Sequence, residues 1–178
     1  MIYKCISALL DRFLCKIHGM RTLSSFDNFF LSDDRKCIIA ACLRTTTKFD
    51  PVVMSDLIKT RLVRGIPGAA VRLVQVLGNN YWLKLNNGEI DEYWSRCCQT
   101  VTDIHTKEQL QEYLAKKIDE EYDLYGPVLP YKFFLIPDFM DGRGAIAFII
   151  THAIIDGVNI AGVLQAMTNN QDFSVVGK

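Results

Sequence analysis

The sequence has no excess of charge of either sign. Lys and Arg number 20 and so do Asp and Glu. A nucleic-acid binder needs a basic face, so the balance points away from DNA and RNA as partners. Long apolar runs are missing too, and none approaches the roughly 20 residues of a membrane-spanning helix. No internal repeat or low-complexity tract is visible. Cysteine is present at Cys5, Cys15, Cys37, Cys42, Cys97 and Cys98, but no C-x-x-C pair and no Cys/His cluster has zinc-site spacing. No metal site is therefore expected. Cys97 and Cys98 are adjacent, which disfavours a disulfide between them. Without secretory features, the cysteines read as reduced thiols in a cytoplasmic or membrane-surface protein.

What is there is an ordinary globular composition. Hydrophobic residues make up 49% and charged residues 22% of 178 positions, enough for one domain with a real core. Residues 1–20 read as an amphipathic N-terminal helix and 21–178 as the main domain. In the helix, Ile2, Ile6, Leu9, Leu10, Phe13 and Ile17 share one face, with Lys4, Asp11, Arg12 and Lys16 away from it. The apolar stretch before Asp11-Arg12 is too short for a signal peptide. Two readings stay open: a helix packed on its own domain, or one lying on anionic lipid. A mitochondrial presequence is a lesser third.

Local signals place the other elements. Residues 26–31 read as a short helix or turn and 37–43 as a strand. Asp50-Pro51 is an N-cap followed by proline at the first helical position, opening a helix over 51–63 that Gly65-Ile66-Pro67-Gly68 ends. Strands are expected at 69–77 and 81–85 around Gly78-Asn79-Asn80, a hairpin signal. Asn87-Gly88 reads as a second turn, and 91–102 is ambiguous. Thr106-Lys107-Glu108-Gln109 is a capping box for a helix over 106–118, and Asp119-Glu120-Glu121 reads as its solvated end. Strands at 132–136 and 145–151 are joined by a tight turn, and a helix covers 157–167. Trp82 and Trp94 read as core or tunnel-wall aromatics, and His18 and His105 as exposed or capping residues. Strands and helices are mixed rather than strictly alternating. This predicts an α/β fold, a two-layer sandwich of a mixed sheet covered by helices.

The strongest chemical pattern is Thr151-His152-Ala153-Ile154-Ile155-Asp156-Gly157, which contains H-x-x-x-D-G. The apolar run Ala145 to Ile150 precedes it, after the turn Asp141-Gly142-Arg143-Gly144. Ile160, Val163, Leu164 and Met167 follow on one helical face. A histidine at a strand end is well placed to take a proton from a hydroxyl group.

These residues resemble the H-H-x-x-x-D-G motif of the CoA-dependent acyltransferase superfamily. Within it the chain is most similar to the wax ester synthase/diacylglycerol acyltransferase family. Leu23-Ser24-Ser25-Phe26-Asp27-Asn28-Phe29-Phe30-Leu31 resembles that family's opening L-S-x-x-D-x-x-F-L. Residues 123–132, from Asp123 to Lys132, loosely resemble its D-x-x-x-P-L-W stretch. The resemblance implies a chloramphenicol acetyltransferase-like fold, here the N-terminal half of a two-domain acyltransferase. It makes His152 the catalytic base, with Thr151 in place of the first histidine. Asp156 would hold the turn by pairing with an arginine, and Gly157 would give the turn its freedom. It implies acyl-CoA as co-substrate, no other cofactor, and a diacylglycerol or long-chain alcohol as acceptor. It also implies contact with a membrane surface or lipid droplet, and either self-association or a missing second half. Two other readings stay open: a non-catalytic scaffold or binding subunit, and a single-domain acyltransferase with sites between subunits.

Overall fold

The computed structural model describes residues 2–32, 37–66, 68–120 and 124–155. In chain order the elements are α1 (Ile2–His18), β1 (Met20–Thr22), α2 (Ser25–Ser32), β2 (Ile38–Arg44) and α3 (Pro51–Ile58), which continues as a π-helical turn over Lys59–Arg64. Then come β3 (Val71–Val76), β4 (Asn79–Lys84), α4 (Asn87–Cys97), β5 (Cys98–Thr100), α5 (Lys107–Asp119), β6 (Tyr131–Phe139), β7 (Arg143–Thr151) and the short α6 (His152–Ile155).

Strand β7 organises the molecule. Every residue from Gly144 to Thr151 is buried, which explains an apolar run without polar alternation: both faces are covered. Ile146, Phe148 and Ile150 face one core with Tyr131, Phe133 and Leu135 of β6. Ala145, Ala147 and Ile149 face a second, with Phe134 and Ile136 of β6 and Leu110 of α5. A large aliphatic or aromatic side chain buried this way contributes about 1.5–3 kcal/mol.

The main sheet has the order β2-β7-β6-β5. Strands β2 and β6 flank β7 antiparallel, while β5 joins β6 in parallel, so the sheet is mixed and covered by helices, as the sequence predicts. Strands 38–43, 132–136 and 145–151 do share it. Strand β6 runs past its expected end to Phe139. The register slips between Ile136 and Phe139, where Pro137, which cannot donate to the ladder, sits in the irregularity. Gly144 is needed where it stands, because a Cβ there would run into the Phe49 ring and the Thr45 hydroxyl. A second antiparallel sheet, β1-β4-β3, adds Val71, Leu73 and Trp82 to the larger core.

Helix ends follow local chemistry. The Asp50 carboxylate accepts from Val52 N–H at 2.8 Å and Val53 N–H at 3.2 Å, with Pro51 next to the cap. Thr106 and Gln109 form the expected capping box. Asn87-Gly88, in contrast, is not a turn. The Asn86 side chain accepts from Glu89 N–H, the Glu89 carboxylate accepts from Asn86 N–H, and α4 begins there. This reciprocal cap satisfies two otherwise orphaned donors, which a turn would not. The ambiguous stretch 91–102 resolves into the rest of α4 and β5. Its Trp94 Nε1–H donates to Ser55 Oγ at 2.9 Å, tying α4 to α3.

Helix α1 is attached through buried Leu14 and through Asp11, whose carboxylate accepts from the Tyr81 hydroxyl at 2.5 Å. Phe13 and Ile17, from the expected apolar face, are exposed. Among the described residues no helix is long and apolar enough to cross a membrane.

Two predictions follow from these contacts. Burial, and then the hydrogen bond to Asp11, push the Tyr81 phenol from 10.0 up to about 12. In the unfolded chain it ionises near 10.0, while the folded chain keeps its proton. The resulting stabilisation is complete below the unfolded value and is lost as pH rises through the folded one. Tyr81→Phe should lose about 1.5–3 kcal/mol at neutral pH, the worth of a hydrogen bond to a charged group, and its melting temperature should decline less steeply in alkali. An unchanged alkaline profile would assign that decline to other groups.

The second concerns the β3–β4 hairpin. Its loop is Leu77-Gly78, one position ahead of the expected Gly78-Asn79-Asn80, and both residues have positive φ, 50° and 80°. A type I′ turn needs that geometry and favours Asn-Gly. Leu77 is strained there and also 78% exposed. Leu77→Asn should raise stability by about 1 kcal/mol, read as a higher urea midpoint at unchanged slope.

Candidate functional site

Strand β7 ends at Thr151 and α6 begins at His152 without an intervening loop. The junction is clamped from both sides. Thr151 N–H donates to the Pro130 carbonyl at 3.0 Å and His152 N–H to the Cys37 carbonyl at 2.8 Å. Thr151 is 2% exposed, so the side chain in place of a first histidine is packed inside. Ala153 and Ile154 are buried in the larger core and fix the start of α6. His152 itself is half-buried. Asp156, Gly157 and the expected helix over 157–167 lie outside the described residues.

The imidazole of His152 stacks on Phe30, with ring centroids 3.9 Å apart and an interplanar angle of 27°. Phe30 belongs to α2, and the start of α2 explains its position. Ser24 N–H donates to Asp27 Oδ2 at 3.0 Å, and Asp27 N–H donates to Ser24 Oγ at 3.0 Å. This is a capping box with Asp at the third helical position. Leu23 is buried beside it in the larger core. Asn28 extends the anchorage, since its side-chain carbonyl accepts from Asn80 Nδ2 at 3.2 Å. The segment Leu23 to Leu31 thus builds a helix that presents Phe30 to His152. Sequence reasoning found both segments but not the contact between them.

The contact shapes what the imidazole can do. Stacking occupies one ring face and leaves proton transfer to the ring edge, where the nitrogens lie. It also restricts ring tilt, which suits a base that must meet a hydroxyl in a narrow range of geometry.

Other reactive groups are poorly prepared for chemistry. Burial pushes the thiols of Cys97 and Cys42 up; for Cys98 it outweighs the opposing hydrogen bond from Ser55 and the nearby Lys59. A raised thiol is a weak nucleophile. Cys15, Cys37, Cys42, Cys97 and Cys98 are all free thiols. Tyr131 is fully buried, donates to the Ala69 carbonyl at 3.0 Å, and burial holds its phenol well above the ordinary value. Trp82 and Trp94 are core residues, 1% and 4% exposed. His105 is exposed; its N–H donates to Gln109 at 2.8 Å and its Nδ1 lies 3.1 Å from the Asp138 carbonyl. Among the described residues no three His, Cys, Asp or Glu side chains group as a metal site.

No protein-family model and no curated protein sequence matches this chain. Solved structures do match in fold. The wax ester synthase/diacylglycerol acyltransferase from Marinobacter aquaeolei VT8 superposes with a TM-score of 0.55 at 16% identity, over 79% of this chain and 36% of that one. The first condensation domain of the calcium-dependent antibiotic synthetase, in complex with a substrate analogue, gives 0.64 at 14% identity, over 83% and 38%. The starter condensation domain of rhizomide synthetase gives 0.61 at 11% identity, over 83% and 37%. This chain therefore spans under two fifths of the length of each. Its fold is shared with part of an acyltransferase and of two condensation domains.

Proposed function

We propose that this chain carries the general base of an O-acyltransferase that moves a fatty acyl group from acyl-CoA to a diacylglycerol or long-chain alcohol. The observation that carries the reading is the placement of His152. It stands at the end of the central strand, its backbone held by the Cys37 carbonyl and its ring flat against Phe30. In this mechanism a ring nitrogen of His152 takes the proton of the acceptor hydroxyl as its oxygen attacks the thioester carbonyl. The tetrahedral intermediate then collapses with loss of the CoA thiolate, which receives the proton from His152. The ester forms, the thioester breaks, and the imidazole ends as it began. Acyl-CoA is a co-substrate, and no other cofactor enters. Exposed Phe13 and Ile17, next to Arg12 and Lys16 on α1, support work at a membrane or lipid-droplet surface.

The test is release of free CoA thiol from palmitoyl-CoA in the presence of dioleoylglycerol or hexadecanol. His152→Ala should lower turnover by about a hundred- to ten-thousand-fold, the usual loss on removing a general base. Undiminished turnover would overturn the assignment. No turnover by the unaltered protein would favour a non-catalytic acyltransferase-like scaffold or binding subunit.

Phe30→Ala isolates the stacking contact. Turnover should fall on the order of tenfold with little change in KM, because orientation rather than binding is lost. In the unaltered protein, the Phe30 ring current should shift the imidazole carbon-bound protons of His152 upfield in NMR spectra. In the variant they should return downfield. Unmoved resonances would mean that the two rings do not stack in solution.

A further inference from the structure

A cavity of about 540 Å³ lies between the inner face of the small sheet and the π-helical turn that follows α3, and His152 does not line it. Its wall combines three cations with an apolar lining. Arg21 of β1 stands opposite Trp82 of β4, and Lys84 follows Trp82 by two residues, so the three share one face of the sheet. Arg64 comes from the π-helical turn across the cavity, with Val63 beside it, and Ile90 of α4 adds further apolar wall. Among the described residues no acidic side chain lines the space. The nearby Asp91 is engaged by Arg64 at 2.7 Å and by Lys59 at 3.3 Å. Among the described residues Arg21 and Lys84 form no ion pair. Trp82 is 1% exposed, and its indole N–H has no hydrogen-bond partner among the described residues. π-helical turns occur frequently at functional sites, and this one delivers both Val63 and Arg64 to the wall.

We infer that this cavity is a binding site for a small amphiphilic anion, a phosphate monoester or carboxylate on an apolar body. The anionic group would be held between Arg21 and Lys84, with Arg64 facing it, and the apolar body against Trp82, Val63 and Ile90. Two like cations without a carboxylate partner at a concave apolar surface select negative charge. A few convergent polar groups on an apolar wall are the ordinary make-up of a small-molecule pocket. The site is separate from His152 and stands whether or not that residue is catalytic.

The probe is octyl phosphate, kept below its micelle-forming concentration, with octan-1-ol and inorganic phosphate as its two halves. Binding is followed by the Trp82 indole N–H resonance in ¹⁵N-labelled protein. Octyl phosphate should give saturable binding that moves this resonance, and each half should bind at least about tenfold more weakly. The double variant Arg21→Gln/Lys84→Gln should lose about tenfold or more in affinity with its melting temperature kept, whereas Lys107→Gln, a charge loss on α5, should change nothing. Equal binding of octan-1-ol would make the cavity an apolar crevice and overturn the inference. Unaltered affinity in the double variant would overturn it as well. So would binding to phosphatidate vesicles without any response to monomeric octyl phosphate, since the cations would then be a membrane-contact patch.

Discussion

Strand β7 has no face that tolerates water, and most of the architecture answers that constraint. A strand buried on both sides needs a paired neighbour at each edge and a covering layer on each face. Strands β2 and β6 supply the pairing, and the two hydrophobic clusters supply the cover. The two faces are not equivalent. One carries Ile146, Phe148 and Ile150 toward aromatics and the small sheet, and the other is lined by Ala145, Ala147 and Ile149, with Leu110 of α5 in the same cluster. The alanines are as much a packing decision as the large residues opposite them, because interiors are filled to nearly crystalline density. His152 follows directly on the end of this strand, with its N–H held by the Cys37 carbonyl.

The parts legible in the sequence were those written in local chemistry. Asp50-Pro51 and Thr106 with Gln109 declare helix starts through side chains that satisfy backbone donors within three residues. The run from Ala145 to Ile150 declares a buried strand. Where two local signals competed, reading was harder. Asn87-Gly88 has turn composition, yet Asn86 and Glu89 are spaced as a reciprocal cap, and the cap governs. The π-helical turn over Lys59–Arg64 has no sequence signature, since one residue more per turn leaves the composition unchanged. The contacts that define the candidate site were out of reach for a different reason. Phe30 against His152, and Arg21 beside Trp82, join segments far apart in the chain. Periodicity within one segment says nothing about its partner.

Two segments that look independent in the sequence converge on one imidazole. Ser24 and Asp27 do no chemistry of their own; they cap the helix that presents an aromatic ring. Residues that make no contact with the imidazole thereby set the position of the ring that does. It also means that a substitution at Asp27 would be felt at His152 through the tilt of a helix rather than through any direct contact.

The order of the strands has a consequence for biosynthesis. Among the described residues β7 is the last strand to be made, yet it is the central partner of both β2 and β6. As the chain leaves the ribosome, β2 is exposed first among the strands of the main sheet and must wait until synthesis has passed Thr151 before its neighbour is complete. Strand β6 has only β5 to pair with until the same moment. The main sheet therefore closes late, in a single step that joins distant parts of the polypeptide, and such non-local closure is slow. Until then, two apolar strand edges stand open to other nascent chains. Slower synthesis or bound chaperones would matter most during this interval.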